Sequence, residues 1–165
     1  MEPKLRAVVD TNLFISGLFG KDTPPAELQD LWVHREFELV TSLEILREIS
    51  RVLQYPRIRA RFKPREENIR RFFKLIFRKA IITKDLYSTD RITDDPSDNI
   101  FLACAMEAKA DYIISGDKHL REIKHFHGIK IIDVKAFVER VRLNRNPCLI
   151  FLLISFPPFF LVLII

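Results

Sequence analysis

Four acidic side chains are the strongest candidates for chemistry in this sequence. Asp10 directly follows a short apolar run of the kind that forms a buried parallel strand, and Asp117 follows another such run after Ser115-Gly116. Open parallel sheets place their ligand sites at the carboxyl ends of their strands. Glu48 and Asp98 lie on segments predicted as helices that begin at the same edge, so an α/β fold would bring all four carboxylates to one rim.

Carboxylates gathered in this way need a cation. Two unit charges about 4 Å apart repel by roughly 4 kcal/mol at an effective dielectric constant of 20. A ligand set of oxygens alone, without Cys or His, favours Mg²⁺ or Mn²⁺ over zinc. Such ions activate a water molecule and neutralise the charge that grows on phosphate oxygens, so the pattern predicts phosphodiester hydrolysis.

Each acid also has a purely structural explanation. Asp10 could be a turn residue, and Asp117 could cap the helix that follows Gly116. Asp98 could be the third-position partner of an N-cap at Asp95. Glu48 could pair at the surface with a flanking arginine, Arg47 or Arg51. Taken singly, Asp98 and Glu48 are better explained in this way, and the functional interpretation depends on the joint placement of the four acids.

The elements that must position these acids alternate between strand and helix along residues 4–143. This alternation predicts a three-layer α/β/α sandwich around a mostly parallel sheet of about five strands. Within it, Ser42 is expected to cap the helix that carries Glu48, and Ser16-Gly17 to end a brief first helix. For the helix that begins near Asp98, the sequence predicts Asp95 as N-cap and Pro96 as the first helical residue.

Composition fits one domain, predicted to span residues 1–145. A chain of 165 residues with 48% hydrophobic content can bury a real core but is too short for two ordinary domains. Cys104 and Cys148 form neither a disulfide framework nor a metal-ligand spacing, which favours a reducing, cytoplasmic setting. The chain opens on a strand-like run, so no signal peptide is expected.

Residues 57–84 form a strongly basic segment. They contain eleven basic and two acidic residues, a local net charge of +9 against +5 for the whole chain. Such a surface predicts salt-sensitive binding of a polyanion. The interleaved aromatic residues recur at helical spacing and are interpreted as core. The candidate RNA-binding side chains are Arg57, Arg59, Arg61, Lys63, Arg70, Arg71, Lys74 and Arg78.

The four acids stand in the order typical of one protein family. Over residues 4–143 the chain resembles the PIN-domain family, including the VapC-type toxins of toxin–antitoxin pairs. Its Ser-Gly-Asp motif and long basic helix look most similar to the branch described as toxin components. The resemblance is carried by Val8-Val9-Asp10-Thr11-Asn12, Ser42-Leu43-Glu44-Ile45-Leu46-Arg47-Glu48, Asp95-Pro96-Ser97-Asp98-Asn99 and Ser115-Gly116-Asp117.

The resemblance implies a Mg²⁺- or Mn²⁺-dependent ribonuclease that cleaves RNA. It implies that the four acids hold the metal and its water, and that Asn12, Ser115 and Asp95 support them. It also implies an active form that is often a homodimer, silenced by an antitoxin protein.

The C-terminal segment, residues 146–165, departs from the family. Residues 149–165 are almost wholly apolar but are interrupted by Ser155 and by Pro157-Pro158. The run is near the short limit of about 17–25 residues for a membrane span, and a central proline pair would break the required helix. A membrane anchor, a hydrophobic partner-binding tail and an aberrant end without function are the three interpretations. We favour the last, because nothing in the preceding domain requires this segment.

Two other function classes compete with the ribonuclease. A metal-dependent phosphohydrolase of small phosphoesters is disfavoured, because Asp10-Thr11-Asn12 lacks the second acid of an Asp-x-Asp motif and the basic segment would have no role. A catalytically silent module that binds RNA or a protein partner would need only the arginines, with the acids serving as helix caps.

Overall fold

The computed structural model describes residues 4–92 and 96–145, with side chains to residue 144. Its strands are β1 (Arg6–Val9), β2 (Glu38–Ser42), β3 (Ile81–Thr83), β4 (Tyr112–Ile114), β5 (His125–Phe126) and β6 (Ile129–Ile132). Its helices are α1 (Thr11–Phe19), α2 (Pro24–Val33), α3 (Leu43–Leu53), α4 (Pro56–Phe62), α5 (Glu66–Lys79), α6 (Asn99–Glu107), α7 (Lys118–Ile123) and α8 (Val134–Arg145). A 3₁₀ turn, Pro96–Asp98, precedes α6.

The strands form one sheet in the order β3-β2-β1-β4-β6-β5. All neighbours pair in parallel except β5 and β6, which are antiparallel. The predicted α/β fold with a mostly parallel central sheet is therefore confirmed, with six strands rather than about five. The additional strand, β5, is only two residues long, too short for any hydrophobic alternation to reveal it.

The central strands are covered on both faces. Every apolar residue of β1 and β4 is buried, as a parallel strand between two helical layers requires. Helix α6 packs against β1, β2 and β4. Phe137 of α8 meets the ring of Tyr112 with centroids 5.3 Å apart. Because successive strand residues point to opposite faces, the neighbouring Ile113 faces the other layer.

Polar side chains cap the N-termini of α3 and α8. The hydroxyl of Ser42 accepts the backbone N–H of Ile45 at 3.2 Å, as the sequence predicts. Asp133 likewise accepts the N–H of Ala136 at 3.0 Å at the start of α8. Each cap satisfies a backbone donor that has no partner inside its helix.

The first helix was expected to end at Ser16-Gly17, and this prediction is wrong, because α1 continues to Phe19. A Cβ at position 17 would collide with the backbone oxygen of Pro25 and lie 2.8 Å from the side-chain nitrogen of Gln29. The glycine thus allows α1 and α2 to pack closely instead of ending the helix.

Helix α6 also begins later than predicted. It starts at Asn99, with Asp98 rather than Asp95 in the N-cap position and with Pro96 in the preceding 3₁₀ turn. Asp95 itself lies outside the described residues, as does the apolar segment 146–165. None of the helices within residues 4–92 and 96–145 combines the length and the hydrophobicity that a transmembrane span requires.

Candidate active site at the carboxyl edge of the sheet

Asp10 is the buried centre of this edge. It follows the last residue of β1 and caps α1, with Oδ1 accepting the backbone N–H of Leu13 at 2.8 Å. Its other oxygen, Oδ2, accepts the N–H of Gly116 at 2.9 Å and the hydroxyl hydrogen of Ser115. The residue is only 3% exposed, so three hydrogen bonds fix a carboxylate that has almost no contact with water.

Asp117 lies beside Asp10 because β1 and β4 are parallel neighbours. Val9 pairs with Ile114, which places the residues after both strands next to each other. Asp117 caps α7 by accepting the N–H of His119 at 2.7 Å, and its own N–H donates to Oγ of Ser115 at 2.9 Å. Ser115 therefore links the two acids.

The electrostatics of this pair favour a cation. Burial raises the pKa of Asp10 above its ordinary value, the three hydrogen bonds partly oppose the shift, and the negative charge of Asp117 adds to it. A bound cation would relieve both the burial penalty and the repulsion between the two carboxylates. The donor set consists of hard oxygens, and a carboxylate that accepts three hydrogen bonds retains lone-pair capacity. The carboxylate oxygens of Asp10 and Asp117 are therefore of the donor type that Mg²⁺ and Mn²⁺ prefer.

Glu48 lies on the second turn of α3, which begins at the carboxyl end of β2. The side chain is half-buried, and its Oε2 atom is shielded from solvent. It borders a groove of about 370 Å³ between α3 and the segment 96–100. A carboxylate shielded in this way departs from the surface-exposed pairing that its sequence context suggests.

Asp98 approaches the same edge from α6. Because α6 leads back to the start of β4, its N-terminus lies at the carboxyl edge of the sheet. Asp98 occupies the N-cap position but its side chain makes no capping hydrogen bond, and its Oδ2 is shielded from solvent. Asp95, the predicted partner of Asp98 in the structural interpretation, lies outside the described residues.

The structure thus links Asp10 and Asp117 through Ser115. It places Glu48 on α3 and Asp98 at the end of the 3₁₀ turn that precedes α6, and α3 and α6 contact each other. Within the described ranges, no three His, Cys, Asp or Glu side chains are close enough to form a metal cluster. Asn12 is exposed in the first turn of α1.

Two groups at this edge were not assigned roles from the sequence. The backbone N–H of Gly116 donates a hydrogen bond to Asp10, and no pattern of side chains in the sequence predicts such a backbone contact. The buried Asn99 side chain donates to the carbonyl of Ile92 at 2.8 Å and accepts its N–H at 2.9 Å. These two hydrogen bonds hold Ile92 beside the start of α6. The only sequence feature that could have indicated them is the amide side chain directly after Asp98.

The basic segment folds into α4 and α5. Seven of its eight candidate RNA-binding side chains are exposed, while Arg59 is half-buried between Gln54 and Glu66. Helix α4 buries none of its residues fully. It is attached through Phe62, whose ring stacks on Phe19 of α1 with centroids 5.0 Å apart. The helix that follows Asp10 therefore also supports the basic surface.

Comparisons with known proteins agree with this architecture. An uncharacterized protein of Methanocaldococcus jannaschii, MJ1680, is 30% identical over 145 residues, which cover 82% of this chain and 91% of that protein. The crystal structure of PAE2754 from Pyrobaculum aerophilum is similar with a TM-score of 0.53 and 16% identity, covering 84% of this chain and 90% of that one. The crystal structure of VapBC2 from Rickettsia felis bound to a DNA fragment from their promoter is similar with a TM-score of 0.51 and 14% identity. The match covers 77% of this chain and 97% of that one.

A family model described as PIN domain matches residues 6–119. The matched range contains all four acids of the carboxyl edge, together with the Ser115 that links two of them. On this match the chain belongs to the PIN-domain family.

Proposed function

We propose that this PIN domain is a divalent-metal-dependent endoribonuclease that hydrolyses RNA phosphodiester bonds, and that it is the toxin component of a toxin–antitoxin pair. The observation that carries the proposal is that Asp10 and the backbone N–H of Asp117 are both hydrogen-bonded to the hydroxyl of Ser115. Two acids from distant parts of the chain share one buried serine there, with Asp10 buried and Asp117 half-buried, an arrangement that a cation would stabilise.

In this proposal Asp10, Glu48, Asp98 and Asp117 hold Mg²⁺ or Mn²⁺. When bound, the ion supplies a water activated for attack and neutralises charge on the phosphate. The chain's own contribution is orientation. Three hydrogen bonds fix the Asp10 carboxylate, and the hydroxyl of Ser115 keeps it in register with Asp117. Asn12 and Asp95 are proposed to support this arrangement.

The proposed partners follow from charge and from the family. The exposed cations of α4 and α5 offer an RNA backbone a surface with salt-sensitive affinity. A homodimer and an antitoxin protein are proposed from membership of the PIN-domain family, whose VapC-type members work in such pairs. The proposed setting is the cytoplasm.

The test is cleavage of a panel of structured and unstructured RNAs by the full chain, with and without Mn²⁺. We expect cleavage that requires Mn²⁺ and is lost in Asp10→Asn. Asp30→Asn, at an exposed acid on α2, is the matched control and should cleave normally. Cleavage that persists undiminished in Asp10→Asn would overturn the proposal.

A catalytically silent module that binds RNA or a protein partner is the second candidate. It is favoured by the helix-capping roles that Asp10 and Asp117 both fill. RNA binding by the wild-type chain without cleavage of any RNA in Mn²⁺ would support it over the ribonuclease.

A further inference from the structure

The groove beside Glu48 carries a feature that the proposed chemistry does not use. Arg47 and Arg51 lie one helical turn apart on α3 and line this groove, with Glu48 between them in sequence. Residues four apart on a helix lie on one face and are separated by about 6 Å along its axis. The two arginines therefore form a short row on the face of α3 that lines the groove, beside Glu48.

Both arginines are available for a ligand. Each is exposed, and neither takes part in an ion pair within residues 4–92 and 96–144. Other arginines of the chain are engaged, since Arg59 pairs with Glu66 and Arg71 with Glu67. An unpaired guanidinium presents several donors in a planar fork that matches phosphate oxygens.

The opposite wall of the groove is different in character. It consists of the 3₁₀ turn and the start of α6, with Pro96, Ser97 and Ile100 lining it. The groove volume of about 370 Å³ is near the lower end of the range of about 300–1,000 Å³ for small-ligand sites. The α3 wall carries the acids Glu44 and Glu48 beside the two arginines. A cleft of this size, with two guanidinium groups on one wall and a partly apolar opposite wall, suits a single nucleotide whose phosphate lies on the arginines.

The α3 wall of the groove ends near the basic surface. Arg51 is in the last turn of α3, and α4, which begins at Pro56, packs against α3. A strand whose phosphate lies on Arg47 and Arg51 would therefore run from the carboxyl edge toward α4. We propose that Arg47 and Arg51 bind backbone phosphate of the RNA next to the cleaved bond and so position the substrate. This inference rests on the proposed ribonuclease function.

Binding and cleavage are to be measured separately. Binding of a fluorescent single-stranded RNA to the full chain in EDTA is followed by anisotropy across a range of salt concentrations. We expect Arg47→Ala/Arg51→Ala to weaken binding about ten- to a hundredfold at low salt. The slope of log affinity against log salt should fall by about 1.4, since each phosphate contact to a single strand contributes about 0.7. Lys135→Ala, at an exposed cation on α8, is the control and should change neither quantity.

Cleavage in Mn²⁺ gives the second measurement. The double alanine variant should raise KM at least tenfold while kcat stays within about twofold, and Arg47→Lys/Arg51→Lys should recover the salt slope because it retains the charge. Unchanged affinity and salt slope in a folded double variant would overturn the inference, as would a loss of kcat at unchanged KM. If the wild-type chain cleaves no RNA but the variant still loses binding, the proposed ribonuclease fails and the arginine site stands.

Discussion

Ser115, at the end of β4, donates its hydroxyl hydrogen to Oδ2 of Asp10, at the end of β1, across 105 positions of sequence. The same hydroxyl oxygen accepts the backbone N–H of Asp117 at 2.9 Å. One fully buried serine thus fixes the position of Asp10 relative to Asp117, two acids of the candidate site. Its contribution to stability and activity can be measured directly.

Ser115→Ala should destabilise the fold and weaken the site together. The substitution removes a hydrogen bond to a buried carboxylate, an interaction that contributes about 1.5–3 kcal/mol, and leaves the N–H of Asp117 without its acceptor. We expect the free energy of unfolding in urea to drop by about that amount and Mn²⁺-stimulated cleavage to fall. Ser50→Ala, at an exposed position on α3, should change neither. Unaltered stability in Ser115→Ala would show that the bond has no energetic role.

The raised pKa of Asp10 predicts a pH dependence with a definite sign. The folded chain holds the Asp10 proton to higher pH than the unfolded chain, so folding is favoured while that proton is bound. As pH rises from the ordinary value of 3.8 through the raised pKa, this stabilisation is lost. In EDTA, the unfolding free energy of the wild type should therefore fall relative to that of Asp10→Asn. If the unfolding free energy of the wild type instead increased relative to that of Asp10→Asn as pH rises, the predicted direction of the pH dependence would be contradicted.

The sequence predicted the sheet edge well because strand ends are locally encoded. A buried apolar run is followed directly by Asp10 in one case and by Ser115-Gly116-Asp117 in the other, and parallel pairing brings the ends of such strands together. The misreading at Gly17 has the opposite origin. Its role is set by the close approach of α2, which no local pattern records. The same holds for Gly116, whose contribution to the site is a backbone N–H.

The interior thiol offers a test of the core next to the site. Burial raises the pKa of Cys104 to about 12, so almost no thiolate is present at pH 8. In a Cys148→Ser background, iodoacetamide should label Cys104 only after denaturation, as mass spectrometry can show. The native wild type serves to reveal any labelling of Cys148. Rapid labelling of Cys104 under native conditions would show that α6 opens far more readily than its packing indicates.

The stack of Phe62 on Phe19 predicts that α4 can be loosened separately from the core. Because Phe62 is half-buried, Phe62→Ala should cost under about 2 kcal/mol, less than the roughly 3–5 kcal/mol of a fully buried phenylalanine. Hydrogen exchange in α4 should speed up while β1 and β4 remain protected, and RNA affinity should fall. Phe77→Ala, 58% exposed on α5, is the control for removing an aromatic ring. Equal acceleration of exchange across the sheet would contradict a local attachment.

Direct measurement of Mn²⁺ binding by calorimetry tests the central claim most closely, since it needs neither an RNA target nor a partner. We expect the wild type and Asp30→Asn to bind Mn²⁺ alike, and Asp10→Asn, Glu48→Gln, Asp98→Asn and Asp117→Asn each to bind at least tenfold more weakly while remaining folded. Mn²⁺ binding that is absent from the wild type, or unchanged in all four variants, would contradict a metal site built from these acids.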